Sequence, residues 1–257
     1  ENYIQSWFFI RYKDPGFHLR IRFKLNDEFL SDQVNALFYG AIKDLYQQGL
    51  IHKLDESSYT PEVRRYGGVE MLPTCEKLFY LNSVIVSDYV ESTFDHTDKD
   101  KLRWQMCIRL AWQITLGSID SLEVIEKFFK ETAAYFDVEL NVSDFNKKKI
   151  HKKYRDSMKD VAHALSDDFM VANNSFINNE IYPQYNQAIL DFKNHCNNNN
   201  RKAIQILRSI IHMDCNRIFV LKQRVNEWMI YHFLAKYTRT VIARKFCIGK
   251  EVLSGFG

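Results

Sequence analysis

Three short segments of this chain combine residue types and spacings that suit chemistry on an anionic substrate. In His18-Leu19-Arg20-Ile21-Arg22-Phe23-Lys24-Leu25 the polar and apolar residues alternate strictly. Side chains alternate across a strand, so His18, Arg20, Arg22 and Lys24 share one face, while Leu19, Ile21, Phe23 and Leu25 turn toward a core. Two guanidinium groups at that spacing reach a common anion, and arginine grips a carboxylate through paired N–H donors that fix its orientation. The competing reading is a solvated basic face on an edge strand, which discourages aggregation. The second segment is Glu62-x-x-Arg65-Tyr66-Gly67-Gly68. Glu62 and Arg65 stand close enough to pair in a helical turn, and the glycines permit either a left-handed turn or close backbone approach to a ligand. A cap with a weak surface ion pair explains the same residues. The third is His212-Met213-x-x-Asn216-Arg217. His212 and Asn216 share a helix face, and histidine is the side chain best suited to move protons near neutral pH, although a structural histidine fits as well.

Positioning these residues requires a mixed fold. Residues 3–12 are rich in aromatic and β-branched types, Lys13-Asp14-Pro15-Gly16 reads as a turn, and residues 18–25 return, so a β-hairpin is expected. A helix is expected from Asp27 to Gln48, with Asn26 as its N-cap and Gly49 as its stop. Residues 50–59 read as a further strand. Helical spacing then predicts helices over 70–92, 98–117, 121–135, 143–165, 184–195, 200–217 and 222–245. The expectation is an α+β fold, with an antiparallel N-terminal sheet and a predominantly helical remainder. It is read as a single domain over 1–257, with 1–68 its sheet-rich part and 69–257 mainly helical.

Composition narrows the function. A net charge of +3 over 257 residues confines any anion binding to a local patch, so no direct nucleic-acid contact is expected. Five cysteines (Cys75, Cys107, Cys196, Cys215, Cys247) with no C-x-x-C pair argue for reduced thiols and against a disulfide framework or zinc site. No apolar run suits a membrane span and no signal peptide is visible, so a cytoplasmic location is expected. Trp104, Trp112 and Trp228 read as core or interface, and the lysines of 147–153 as a solvated helix face, with contact to RNA or an acidic peptide as the other reading. P-loop, dinucleotide, nucleophile-elbow and H-E-x-x-H signatures are absent.

The three segments, in this order, resemble the C-terminal domain of lantibiotic dehydratases, also called the thiopeptide-type bacteriocin biosynthesis domain. The resemblance is carried by Trp7–Tyr12 with Asp14-Pro15, His18–Phe23, Tyr59–Glu62 with Arg65–Gly68, and His212-Met213 with Asn216-Arg217. It implies removal of glutamate from a glutamylated Ser or Thr of a precursor peptide, leaving dehydroalanine or dehydrobutyrine, without metal or organic cofactor. A separate tRNA-dependent glutamylation protein is the implied partner beside the precursor peptide. Arg20, Arg22 and His212 are then the expected catalytic groups, with Arg65, Glu62, Asn216, Arg217 and His18 at the substrate. An arginine or a nearby tyrosine stays open as the base. A second branch of the family builds thiopeptide pyridines by [4+2] cycloaddition and lacks this arginine set, which the present sequence keeps. A non-catalytic peptide-binding module is the third reading. One departure stands out: the family often has Asp-Ser where this chain has Asn82-Ser83. The sequence leaves a monomer and a homodimer both open.

Overall fold

The computed structural model describes residues 3–197 and 199–254, with Asn174 and the last nine described residues as backbone only. Strands β1 (Ile4–Tyr12) and β2 (His18–Leu25) form an antiparallel hairpin that pairs Phe8 with Arg22 and Ile10 with Arg20. A short 3₁₀ turn, Glu28–Leu30, leads into α1 (Ser31–Gln47); Asp27, not Asn26, caps the turn through its side chain. Gly49 ends the helix at φ 71°, as expected. The helical body follows: α2 (Leu72–Ser92), α3 (Lys99–Ser118), α4 (Leu122–Glu139), α5 (Asp144–Asp156), α6 (Met158–Ala164), α7 (Asp167–Ala172), α8 (Ile181–His195), α9 (Asn200–Ile218) and α10 (Gln223–Ser254). The α+β expectation therefore holds, with four corrections. Residues 50–59 form no strand: Leu50, Ile51 and Leu54 do not recur with the two-residue period of a strand face, and the chain crosses the surface irregularly. The expected helix 143–165 breaks at Ser157 into α5 and α6, and α10 runs beyond residue 245. Leu19, expected to face a core, is largely exposed.

The core lies between α2, α3, α8 and α9, with α4 packed along α10. Trp112 and Trp228 are buried and Trp104 packs on Phe233, as core residues should. Cys75, Cys107, Cys196 and Cys215 are free and buried; Cys107 and Cys215 share a thiol hydrogen bond at 3.5 Å and no disulfide, and the Cys247 side chain lies outside those described. Exposed Lys148, Lys149 and Lys152 fit the solvated-face reading of α5.

β1 has β2 on one edge and, among the described residues, no strand on the other. Its free edge is met by side chains instead. The Phe9 N–H donates to Ser83 Oγ (3.3 Å) and Arg217 Nε donates to the Phe9 carbonyl (3.0 Å). Asn216 takes both backbone groups of Arg11: Oδ1 accepts from its N–H at 2.7 Å and Nδ2 donates to its carbonyl at 2.8 Å. One amide thus does what a residue of a third strand would do. Phe79 packs the same junction, against Phe8 (5.5 Å), Tyr66 (5.0 Å) and the Arg217 guanidinium (5.2 Å). Gly67 seats this corner: at φ 84° a side chain is strained, and a Cβ would sit 2.7 Å from Ile206 Cδ1.

Arg217 is fully buried. Its Nη1 donates to Asn82 Oδ1 at 3.1 Å, and Asp214 lies 3.7 Å away, near enough for charge attraction but beyond a hydrogen bond. The Asn82 departure therefore has a visible consequence: an amide meets the guanidinium there, and Asp214 supplies the nearby carboxyl. Burial pushes the Asp214 carboxyl up from 3.8 to about 7, and Arg217 offsets only part of the rise. Burial likewise lowers Arg217, to about 10, which leaves it charged at neutral pH.

Two measurements follow. Asn216→Ala leaves two backbone groups of β1 unpaired, at ~1–3 kcal/mol each; urea unfolding should lose about 2–6 kcal/mol, and a loss under ~0.5 kcal/mol would contradict the edge-clamp role. For Asp214, the folded state keeps a proton that the unfolded chain releases above 3.8. Its stabilising contribution is full below that pH and is lost as pH rises through about 7. Melting temperatures of Asp214→Asn should accordingly fall less steeply between pH 5 and 8 than those of the parent, and parallel curves would refute the assignment.

Candidate active site

The clamped hairpin turns its basic face toward the helices. Between them lies a cleft of about 730 Å³, lined by Arg20 and Arg22 from β2, Glu62 and Arg65 from the turn before α2, His212 and Asn216 from α9, and Lys222, Gln223 and Arg224 at the start of α10. Seven of its lining residues are arginine or lysine and two are acidic, so this cleft holds a local excess of positive charge that the whole-chain value of +3 hides.

Each guanidinium is held differently. Arg20 stacks on the Tyr12 ring (3.8 Å) and donates from Nε to His18 Nε2 (3.2 Å), while His18 Nδ1 meets the Gly16 carbonyl at 2.9 Å. Arg22 lies 5.2 Å from the centre of the Tyr59 ring; its Nε is buried, and the side chain has no hydrogen bond or ion pair among the described residues. Arg65 is braced by Glu62 (3.0 Å) and by Ser209 Oγ of α9 (3.1 Å). Among the described residues, Arg20 and Arg22 therefore face the cleft without a carboxylate partner, whereas Arg65 already has one.

His212 is partly buried, and its Nδ1 lies 2.9 Å from Glu227 Oε2. Arg224 contacts that same oxygen at 2.8 Å and reaches Glu139 at the end of α4. Three tyrosines also line the cleft, Tyr12 beneath Arg20 and, beyond it, Tyr59 and Tyr66. Burial, with Glu76 adding to it, pushes the Tyr59 phenol far above its ordinary value, and burial raises Tyr66 to about 12. Both are neutral hydroxyls near pH 7.

Of the residues singled out from sequence, Arg20, Arg22, Glu62, Arg65, His212 and Asn216 share this lining. His18 stands behind it, holding Arg20, and Arg217 is fully buried beneath the hairpin, holding β1 and Asn82. Arg224 and Glu227 were missed. A signal existed: Arg224-x-x-Glu227 repeats the spacing of Glu62-x-x-Arg65, just after the helix that carries His212. No group of three or more His, Cys, Asp or Glu suited to a metal occurs among the described residues. Nor is any described helix long and apolar enough to cross a membrane.

Comparison with known proteins gives this cleft a family. The chain is 24% identical over 244 residues to the nisin biosynthesis protein NisB of Lactococcus lactis subsp. lactis, covering 89% of this chain and 22% of NisB. It is 28% identical over 140 residues to the subtilin biosynthesis protein SpaB of Bacillus subtilis, covering 53% and 12%. Among solved structures, the tRNA-dependent lantibiotic dehydratase MibB from Microbispora sp. 107891 shares the fold, with a TM-score of 0.62 and 18% identity over 94% of this chain and 25% of MibB. The chain thus spans a quarter or less of the length of these proteins. The family described as lantibiotic biosynthesis dehydratase C-term matches residues 1–238, and the chain belongs to that family.

Proposed function

We propose that this chain takes part in dehydrating a ribosomally made precursor peptide, and that its own step is elimination of glutamate from glutamylated Ser or Thr. The observation that carries this reading is the pair Arg20 and Arg22, unpaired with any carboxylate, in one cleft with Arg65 and His212. NisB and SpaB are nisin and subtilin biosynthesis proteins, and membership of the lantibiotic dehydratase C-terminal family supports a related role here.

The chemistry balances without an oxidant or reductant. A base takes the α-proton of the modified residue. The electron pair left behind forms the Cα=Cβ bond as the Cβ–O bond breaks, and glutamate departs as a carboxylate. Hydroxide leaves poorly and carboxylate well, which is the purpose of prior glutamylation. Arg20 and Arg22 hold the glutamyl carboxylate and meet the charge on the leaving group, in a geometry fixed before reaction. Arg65, braced by Glu62, adds to that field. His212 carries the proton. Glutamylation itself is assigned to a tRNA-dependent partner, in trans or in the remainder of a longer polypeptide, since this chain covers so little of its relatives.

The direct test supplies a synthetic glutamylated peptide and follows mass and free glutamate. Loss of the glutamyl mass plus water, with stoichiometric glutamate release, supports elimination. A peptide retained unchanged would identify a binding module, and action only on a peptide already carrying two dehydroalanines would identify the cycloaddition branch. In the same assay Arg22→Ala should slow elimination by roughly 10²-fold or more, the usual effect of removing one donor to a developing anion. His212→Ala should slow it by about 10²–10⁴ with an unchanged circular dichroism spectrum. A full rate in either variant would remove that residue from the mechanism.

A further inference from the structure

We infer that Glu227 is a positioning residue that holds His212 as its Nδ1–H tautomer and so makes Nε2 the nitrogen that accepts the proton. The inference rests on the reading of His212 as proton carrier and adds which nitrogen acts and what selects it.

Three groups crowd Nδ1 of His212: Glu227 Oε2 at 2.9 Å, Arg224 Nη1 at 3.2 Å and Gln223 Nε2 at 3.3 Å. A carboxylate oxygen only accepts, while guanidinium and amide nitrogens only donate. Nδ1 cannot donate to the first and accept from the others at once. The carboxylate is nearest, and Arg224 Nη1 makes its shorter bond to Glu227 Oε2 (2.8 Å) and not to the ring (3.2 Å), so the proton belongs on Nδ1, directed at Glu227. Nε2 has no hydrogen-bond partner among the described residues and is left for the cleft that His212 lines.

The support behind Glu227 is rigid. Its side chain is only 2% exposed. Arg224 donates to the same oxygen and is anchored in turn on both oxygens of Glu139. The ring on α9, the carboxylate on the first turns of α10 and the anchor at the end of α4 are thereby fixed to one another across three helices. Two carboxylates surround one guanidinium, which leaves a surplus negative charge beside the ring. That charge compensates the imidazolium formed when Nε2 takes the α-proton, and a ring in the wrong tautomer has no lone pair to offer there.

The test is nitrogen NMR of the protein labelled with ¹⁵N-histidine, with the His212 signals assigned by their loss in His212→Gln. The parent should show a protonated Nδ1 and a bare Nε2 in neutral His212. Glu227→Leu leaves only donors around Nδ1, so the proton should move to Nε2. Its kcat on the glutamylated peptide should fall at least 10²-fold, with KM within about twofold of the parent. Glu227→Gln, whose amide oxygen can accept from both neighbours but bears no charge, should keep the parent tautomer and lose about tenfold or more in kcat. That variant carries the test if Glu227→Leu does not fold. A parent His212 protonated on Nε2, a tautomer unmoved in Glu227→Leu, or an unchanged kcat in a folded variant would overturn the inference. A parent with the expected tautomer that releases no glutamate would instead sink the elimination reading and leave the tautomer assignment standing.

Discussion

The free edge of β1 is the constraint on which the rest of the site depends. A two-stranded hairpin is marginal in water on its own and leaves a row of backbone donors and acceptors unpaired. Here α2 and α9 supply the missing partners through Ser83, Asn216 and Arg217. Because Asn216 and His212 lie one turn apart on the same helix, the helix that grips β1 also carries the imidazole. The arginine face of β2 is then set against His212 by the register of the hairpin, which pairs Arg22 with Phe8 and Arg20 with Ile10. Fixed separation of this kind is what a site needs when its catalysis comes from charges placed before the reaction.

Charge in this molecule is sorted by burial and by partner. Arg217, deepest of the arginines, is spent on structure, between a backbone carbonyl, Asn82 and a carboxyl whose own charge burial discourages. Arg65 and Arg224 are each tied to carboxylates that limit their motion. Arg20 and Arg22 have aromatic rings beneath them and no carboxylate. Stacking on a ring costs an arginine none of its N–H donors, so these two keep their capacity for a bidentate anion. The same sequence therefore yields three kinds of arginine, distinguished only by what the fold places around them.

Much of this was legible in the sequence, for reasons that differ by residue. Strict alternation in residues 18–25 predicted that Arg20 and Arg22 share a face, because the period of a strand leaves no other choice. Helical spacing brought His212 and Asn216 together in the same way. What spacing could not give was the environment: Asn216 and Arg217 adjoin the site residues in sequence but bind the backbone of β1, some two hundred positions away. His18 shares the arginine face, yet serves Arg20 from behind. Glu227 was overlooked because its partner on the ring lies on another helix, and a carboxylate three residues from an arginine is common on helix surfaces. The false strand at 50–59 came from judging a segment without asking what it would pair with. The family resemblance reached further than the residue patterns did, since it ordered three individually weak segments into one expectation.

The central claim is that Arg20, Arg22, Arg65 and His212 converge on one glutamylated residue. A crystal structure of the protein with a peptide carrying an amide-linked, and so non-eliminable, glutamyl side chain tests it most directly. The account predicts a glutamyl carboxylate within hydrogen-bond distance of Arg20 or Arg22 and the α-carbon of the modified residue facing Nε2 of His212. A peptide bound elsewhere on the surface, or a glutamyl group in the cleft with its carboxylate turned away from both arginines, would contradict it.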